Sequence, residues 1–397
     1  MKHTRLKCEP TFIYKSVIAA IFSTSLLLSG CGSDNDKSPS SQTSLNCGSE
    51  LDSIESVALS ITQEMFEKFA ISSDEIWTGS YRLDQTPILY VRRNGDKDGC
   101  AMLINYPEGE NLAGTTPAKV DKEINIDNVL RINKIPEDIN KIENFDFQYD
   151  LYGKKVFLMK VNSRDIDIKS ISSQKDWMLF VAHEGMHNYQ YTESFKSYPG
   201  VQEVESYKLD KEHIGLILLE QAILNNIAKD ADSEKSFSDI STSVLQLIAV
   251  RDERYEKFPK TKLHDLYQEQ HEGTAKYIEH RLGSLTENNN INLTSFYQKY
   301  NEIADDKIRD QLAFMRFYFS GSMISKVLDM KGVKNWHTQV ENGKSPYEIL
   351  TSATSISEAD KLNYLAQAKS DYSYDTLKQR AEKLAETAAK EPTSIFE

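Results

Sequence analysis

Apolar residues recur at helical spacing over residues 51–70 (LDSIESVALSITQEMFEKFA), and the pattern then changes. Pro87-Ile88-Leu89-Tyr90-Val91 and Ala101-Met102-Leu103-Ile104 are short apolar runs of β type. Between them RRNGDKDG (92–99) offers an Asn-Gly and an Asp-x-Asp-Gly, so the two runs are expected to form a hairpin. VFLMKV (156–161) makes another strand, and residues 76–162 should together contribute a small sheet. From Asp176 onward the period is helical, with segments at 176–192, 208–229, 237–257, 262–282, 293–300, 304–330 and 374–390. A sheet followed by a helical half predicts an α+β fold. The expected divisions are an N-terminal α+β subdomain at 50–170, a helical subdomain at 171–350 and a C-terminal helical packing segment at 351–397.

The chain opens with Lys2, Arg5, Lys7 and Lys15 around an apolar core, Ser16 to Leu28, too short to span a bilayer and expected to be a secretory signal. Its end, Leu28-Ser29-Gly30-Cys31, resembles a bacterial lipobox. That resemblance implies a signal peptide at 1–30, lipid on Cys31 and, with Gly32 rather than Asp next, a place on the periplasmic face of the outer membrane. DNDKSPSSQTSLNCGS (34–49) has few large apolar residues and looks like a flexible tether within 31–49.

Charge and cysteine count sharpen this picture. The full chain has formal net charge −13; residues 1–30 hold four Lys/Arg and one Glu, so the remainder stands at −16. Such a balance argues against nucleic acid as a partner. With Cys8 in the signal and Cys31 lipidated, Cys47 and Cys100 remain, and a disulfide is their simplest use in an oxidising compartment.

The chemistry concentrates at VAHEGMHNYQ (181–190). Residues four apart share a helix face, so His183 and His187 can present two imidazoles to one ion, and Glu184 stands where a general base acting on a metal-activated water belongs. The apolar approach WMLFVA (177–182) predicts that this helix is buried. A catalytic zinc site needs a third protein ligand. The pattern HExxHxxGxxH fails, because Gln190 and Glu193 stand where Gly and His would fall. Glu203, Glu205 and Glu212 lie at a thermolysin-like spacing without a convincing motif.

HEGTAKYIEH (271–280) is the better source. Its Glu-Gly-x-Ala-x-Tyr segment resembles the motif that carries the third zinc ligand in glutamate-zincin peptidases with long inserts. Ile76-Trp77-Thr78-Gly79, Pro87-Ile88-Leu89, RDERYEKFP (251–259) and Tyr318-x-x-Gly321 follow in the order familiar from such gluzincin-type metallopeptidases, over roughly residues 75–350. The resemblance implies a zincin-like helical half, zinc held by His183, His187 and Glu272, Glu184 as general base, Tyr318 as oxyanion donor, and a peptide or protein substrate. Gly273 and Ala275 would keep the Glu272 helix slim enough to approach the histidine helix. Two departures stand out: the Gly-x-Met-Glu-Asn motif of zinc aminopeptidases is absent, and Lys276 replaces the Asp that orients a ligand histidine in thermolysin-like enzymes. A carboxylate for that role must then come from elsewhere in the chain, and Glu279 is one candidate. His213, His264, His271, His280 and His337 are expected to be surface or structural residues. The rival expectation is a metal-binding or envelope-assembly lipoprotein that keeps the fold without cleaving peptides.

Overall fold

The computed structural model describes residues 47–391, apart from 96, 108–111, 113, 133, 163, 201–203, 205–206, 287–290 and 305–306. The expected signal segment, Cys31, Glu203 and Glu205 lie outside the described residues. An opening helix α1 (Ser53–Ile76), with a capping box between Asp52 and Glu55, leads into a six-stranded sheet: β1 (Ile88–Asn94), β2 (Lys97–Ile104), β3 (Thr115–Pro117), β4 (Leu130–Ile132), β5 (Phe145–Leu151) and β6 (Lys154–Asn162). The strand order is β3-β4-β2-β1-β6-β5; β1 and β6 run parallel and every other neighbouring pair antiparallel. The expected β1–β2 hairpin is present, with Gly95 at φ +61° in its turn, a conformation that favours glycine.

Side chains alternate between the two faces of the sheet. Ile88, Tyr90, Met102, Ile104, Phe157 and Met159 face the helices, whereas Leu89, Val91, Leu103, Val156 and Leu158 form a separate small core with Ile132 and Ile139. Cys47 is bonded to Cys100 on β2, with Cα atoms 5.2 Å apart, so the start of the described chain is tied to the middle of the sheet. Closing a loop with a sequence separation of 53 residues is worth roughly 4 kcal/mol in the chain-entropy picture, and measured values tend to be lower. Replacing both cysteines with Ala is expected to cost about 2–4 kcal/mol in urea unfolding; unchanged stability would refute the contribution.

The helical part comprises α2 (Ile171–Gln190), α3 (Lys211–Asp232), α4 (Phe237–Lys257), α5 (Pro259–Gln268), α6 (Thr274–Leu285), α7 (Leu293–Asn301), α8 (Arg316–Lys331), α9 (Trp336–Glu341), α10 (Pro346–Ser352), α11 (Glu358–Asp371) and α12 (Tyr374–Ala388). The architecture is therefore α+β. Two π turns interrupt the helices, Glu269–Gly273 between α5 and α6 and Gln311–Met315 just before α8. One continuous apolar cluster runs from Ile54 on α1 to Ala388 on α12, so the expected divisions at 170 and 350 share a core. Among the described residues no helix is long and apolar enough to cross a membrane.

A buried ionic network braces this half. Arg251 bonds Glu220 at 3.0 Å and Glu269 at 2.8 Å, Arg254 pairs with Glu220 and with Asp265 at 2.6 Å, and Arg316 reaches Asp265 at 3.0 Å. Tyr207 and Ser320 complete it through hydrogen bonds to Asp265 at 2.7 Å and Glu269 at 2.6 Å. Burial works to raise Asp265 and Glu220, but Arg254 leads the neighbouring guanidiniums in holding both below the usual carboxylate range. A carboxylate depressed on folding adds stability that is complete above its unfolded pKa, about 4, and is lost as pH falls through the folded value. Glu269 is shifted the other way, raised by burial against the pull of Arg251, so its effect lies above that window. Urea-unfolding free energy is therefore expected to fall steadily below about pH 4; a flat profile down to about pH 2 would contradict it.

Candidate metal centre

The second half of α2 is enclosed on every side: all ten residues from Val181 to Gln190 are buried. Gly185 makes that possible, since a Cβ there would meet the Leu83 side chain at 2.7 Å. The Tyr81 hydroxyl donates to the Ala182 carbonyl at 3.1 Å. Glu341 on α9 accepts from Trp77 Nε1 at 2.9 Å, the Ser80 amide at 3.1 Å and the Tyr189 hydroxyl at 2.8 Å, tying the Ile76–Gly79 segment to the histidine helix. Asn188 and β5 exchange further bonds, from Asn188 Nδ2 to the Phe147 carbonyl and from Gln148 to the Asn188 carbonyl at 3.2 Å.

The third member of the group, the Glu272 carboxylate, arrives on the π turn Glu269–Gly273. Its backbone meets α8 directly, because a Cβ on Gly273 would lie 2.5 Å from the Gly321 Cα, and one on Gly321 would lie 2.7 Å from the Glu269 carbonyl oxygen. This corrects the expected partner of Gly273. Its close approach is to Gly321, in the Tyr318-x-x-Gly321 motif, while α6 packs against α2 further along.

His183, His187 and Glu272 form a buried group able to hold a metal ion. Their side chains are at most 5% exposed. Glu272 Oε2 lies 3.5 Å from His183 Nε2 and 3.3 Å from His187 Nε2, and the two Nε2 atoms are 3.1 Å apart. Each ring has a polar neighbour behind it: His187 Nδ1 makes a 2.8 Å hydrogen bond with Gln190 Oε1, and His183 Nδ1 lies 2.7 Å from Glu279 Oε1 without the geometry of a hydrogen bond. Glu279 thus occupies the place left open by Lys276, and Lys276 itself pairs with Glu279. Lys276 is flanked by the faces of Phe296 and Tyr300.

Burial works against charge on His183, yet Glu272 and Glu279 together raise its pKa. Burial likewise works to raise Glu272, but the two imidazoles outweigh it and hold that carboxyl well below its usual range. Glu184, only 1% exposed, is pushed up to about 8 by burial, against the pull of His187 and with help from Glu272 and Glu279. Three buried oxygens, Glu184 Oε2, Glu272 Oε2 and the Tyr318 hydroxyl, have no hydrogen bond of good geometry. Since an unsatisfied buried polar atom costs free energy, such atoms meeting beside two imidazoles fit a site built for something further. Tyr318 stacks on His183 with ring centroids 5.5 Å apart and planes 3° from parallel. Burial first, then the Glu272 and Glu184 carboxylates, raises its hydroxyl.

The structure thus brings His183, Glu184, His187, Glu272, Glu279 and Tyr318 into one space. Glu212 stands apart, exposed at the start of α3 and paired with Lys257. His213, His264, His280 and His337 are buried in the core. His271 is buried as well, stacking on His187 at 4.4 Å and on Tyr267 at 5.6 Å as a wall of the site. Gln190 was legible only as the residue that broke a metal motif. Its spacing of three from His187 was the signal that could have marked it. Against protein-family models, curated proteins and solved structures, the chain finds no match.

Proposed function

We propose that this chain is a zinc metallopeptidase of the gluzincin kind, its fold zincin-like, held through a lipidated Cys31 at the periplasmic face of the outer membrane. The observation that carries the enzymatic part is the convergence, in one buried place, of two imidazole nitrogens and one carboxylate beside a Glu184 with an unpaired buried oxygen. Two histidines and a glutamate form a ligand set suited to catalytic zinc, with His183 and His187 presenting Nε2 and Glu272 presenting Oε2. Bound there, zinc supplies the Lewis acidity that acidifies a water and polarises a peptide carbonyl. Glu184 takes the proton of the attacking water and passes it to the leaving amine. The Tyr318 hydroxyl, free of other partners of good geometry, donates to the developing oxyanion. Glu279 and Gln190 keep the two imidazoles aimed. Strand β5 lies at the sheet edge beside α2, where an extended peptide can add main-chain hydrogen bonds.

The burial of all three ligand side chains favours a second reading, a metal-holding envelope lipoprotein that cleaves nothing. Incubation of zinc-loaded chain with an unfolded protein separates the two. Cleavage that falls by roughly 100–10,000-fold in Glu184→Gln, with zinc content kept, supports the peptidase. Zinc binding without cleavage of any unfolded substrate supports the second reading. Zinc-free protein after metal supply removes both.

A further inference from the structure

We infer that Gln190 is a positioning residue of the metal centre, whose amide selects the nitrogen that His187 offers and couples that histidine to the turn carrying Glu272. The inference rests on His183, His187 and Glu272 being ligands, as proposed above.

Gln190 closes α2, three residues after His187, and is 3% exposed. Its Nε2 lies 2.9 Å from the His271 carbonyl, 3.0 Å from Thr274 Oγ1 and 3.4 Å from the Gln270 carbonyl. Both carbonyls can only accept. Thr274 uses its own hydrogen on the Gln270 carbonyl, at 2.5 Å, so its oxygen is left as an acceptor too. Amide oxygen and nitrogen are often interchangeable by shape alone. Here three acceptors on one side fix the nitrogen there, and the oxygen must face His187 Nδ1, 2.8 Å away. An amide oxygen cannot donate, so Nδ1 carries the hydrogen of the neutral ring and the lone pair sits on Nε2. That is the nitrogen 3.3 Å from Glu272 Oε2.

The same amide therefore does two things. It sets the tautomer of one ligand, and it donates to the backbone carbonyls of Gln270 and His271 just before another and to the Thr274 hydroxyl just after it. A π turn displaces carbonyls from the regular helical ladder, and Gln190 supplies a donor at two of them. His183 is backed by a carboxylate and His187 by a neutral amide, so the two imidazoles are held in unlike ways. No common substitute does both jobs: Glu has only acceptors to turn toward the carbonyls, and Met fills the volume with neither donor nor acceptor. The plain alternative is that Gln190 merely satisfies core polar groups, which would make it matter to stability alone.

The test uses the full chain, with zinc affinity read by competition against a coloured chelator, and the nitrogen shifts of His187 read by NMR on metal-free protein. In the parent, His187 is expected to hold its hydrogen on Nδ1; a hydrogen on Nε2 overturns the inference without any variant. Gln190→Met and Gln190→Glu are each expected to weaken zinc by roughly 10–100-fold, whatever they do to the unfolding temperature of the metal-free form. Affinities within threefold of the parent in both variants, with only a lower unfolding temperature, would reduce Gln190 to a core residue. Parental affinity in Gln190→Glu alone would overturn the coupling to the turn. A parent that binds no zinc sinks the metal reading instead, and the tautomer measurement still stands by itself.

Discussion

Glu272→Ala is expected to lower zinc affinity by more than the roughly 100-fold that losing an outer partner of a ligand can cost, while Glu184→Gln holds its metal. The contrast follows from position. Glu272 Oε2 sits within 3.5 Å of both Nε2 atoms, whereas Glu184 follows its histidine by one residue and is not part of that converging group. Removing Glu272 leaves two imidazoles, too few for a tight zinc site. Metal analysis after dialysis against a weak chelator reads the difference. Full occupancy in Glu272→Ala would move the third ligand elsewhere. Glu212 could not then take the place without moving from the exposed start of α3.

Arg251→Met is expected to destabilise the chain by about 3–5 kcal/mol, the usual cost of stripping one partner from a buried ion pair. Arg251 is fully buried and is the guanidinium that bonds Glu269, at 2.8 Å to each carboxylate oxygen. Without it, Glu269 keeps, among the described residues, the Ser320 hydroxyl as its side-chain partner. Urea unfolding at neutral pH measures the loss, and a change under about 1 kcal/mol would show that the pair is dispensable. Because Glu269 opens the π turn that ends at Gly273, zinc affinity should fall along with stability. Replacing the Arg251–Glu269 pair together by apolar residues should cost less than Arg251→Met alone, since no charge is then stranded.

Much of this was legible in the sequence, for identifiable reasons. The helices at 53–76, 171–190, 237–257 and 374–388 carry an apolar stripe long enough to declare its period. Strands β3 and β4 have only three residues each, too few to show any alternation. Strand β5, FDFQYDL, does alternate, but its register shift between Asp146 and Tyr149 reflects its place at the edge. Helices α9 and α10 were missed because they are short, and α11, mostly exposed, was covered only by the expected helical segment 351–397. At the site, HExxH and EGxAxY named the group that the fold brings together. What they could not convey was geometry beyond one helix. The π turn depends on tertiary contact, so nothing local foretold that Gly273 meets Gly321 or that His271 turns inward against His187. Glu279 was reachable by counting turns from Glu272, while Gln190 required knowing which carbonyls lay across from it.

The three residues of the group belong to different walls. His183 and His187 ride on a helix braced by Tyr81 and β5, and Glu272 on a turn seated against α8, with 84 residues of chain between His187 and Glu272. A chain emerging from its N-terminal end would display both histidines long before the carboxylate or its Gly321 seat exists. Until then it can hold an ion by two donors only, weakly and reversibly. On the proposed function, capture of the ion thus becomes a late checkpoint in maturation: a metal-loaded molecule would be one in which the whole stretch from α2 to α8 has already come together.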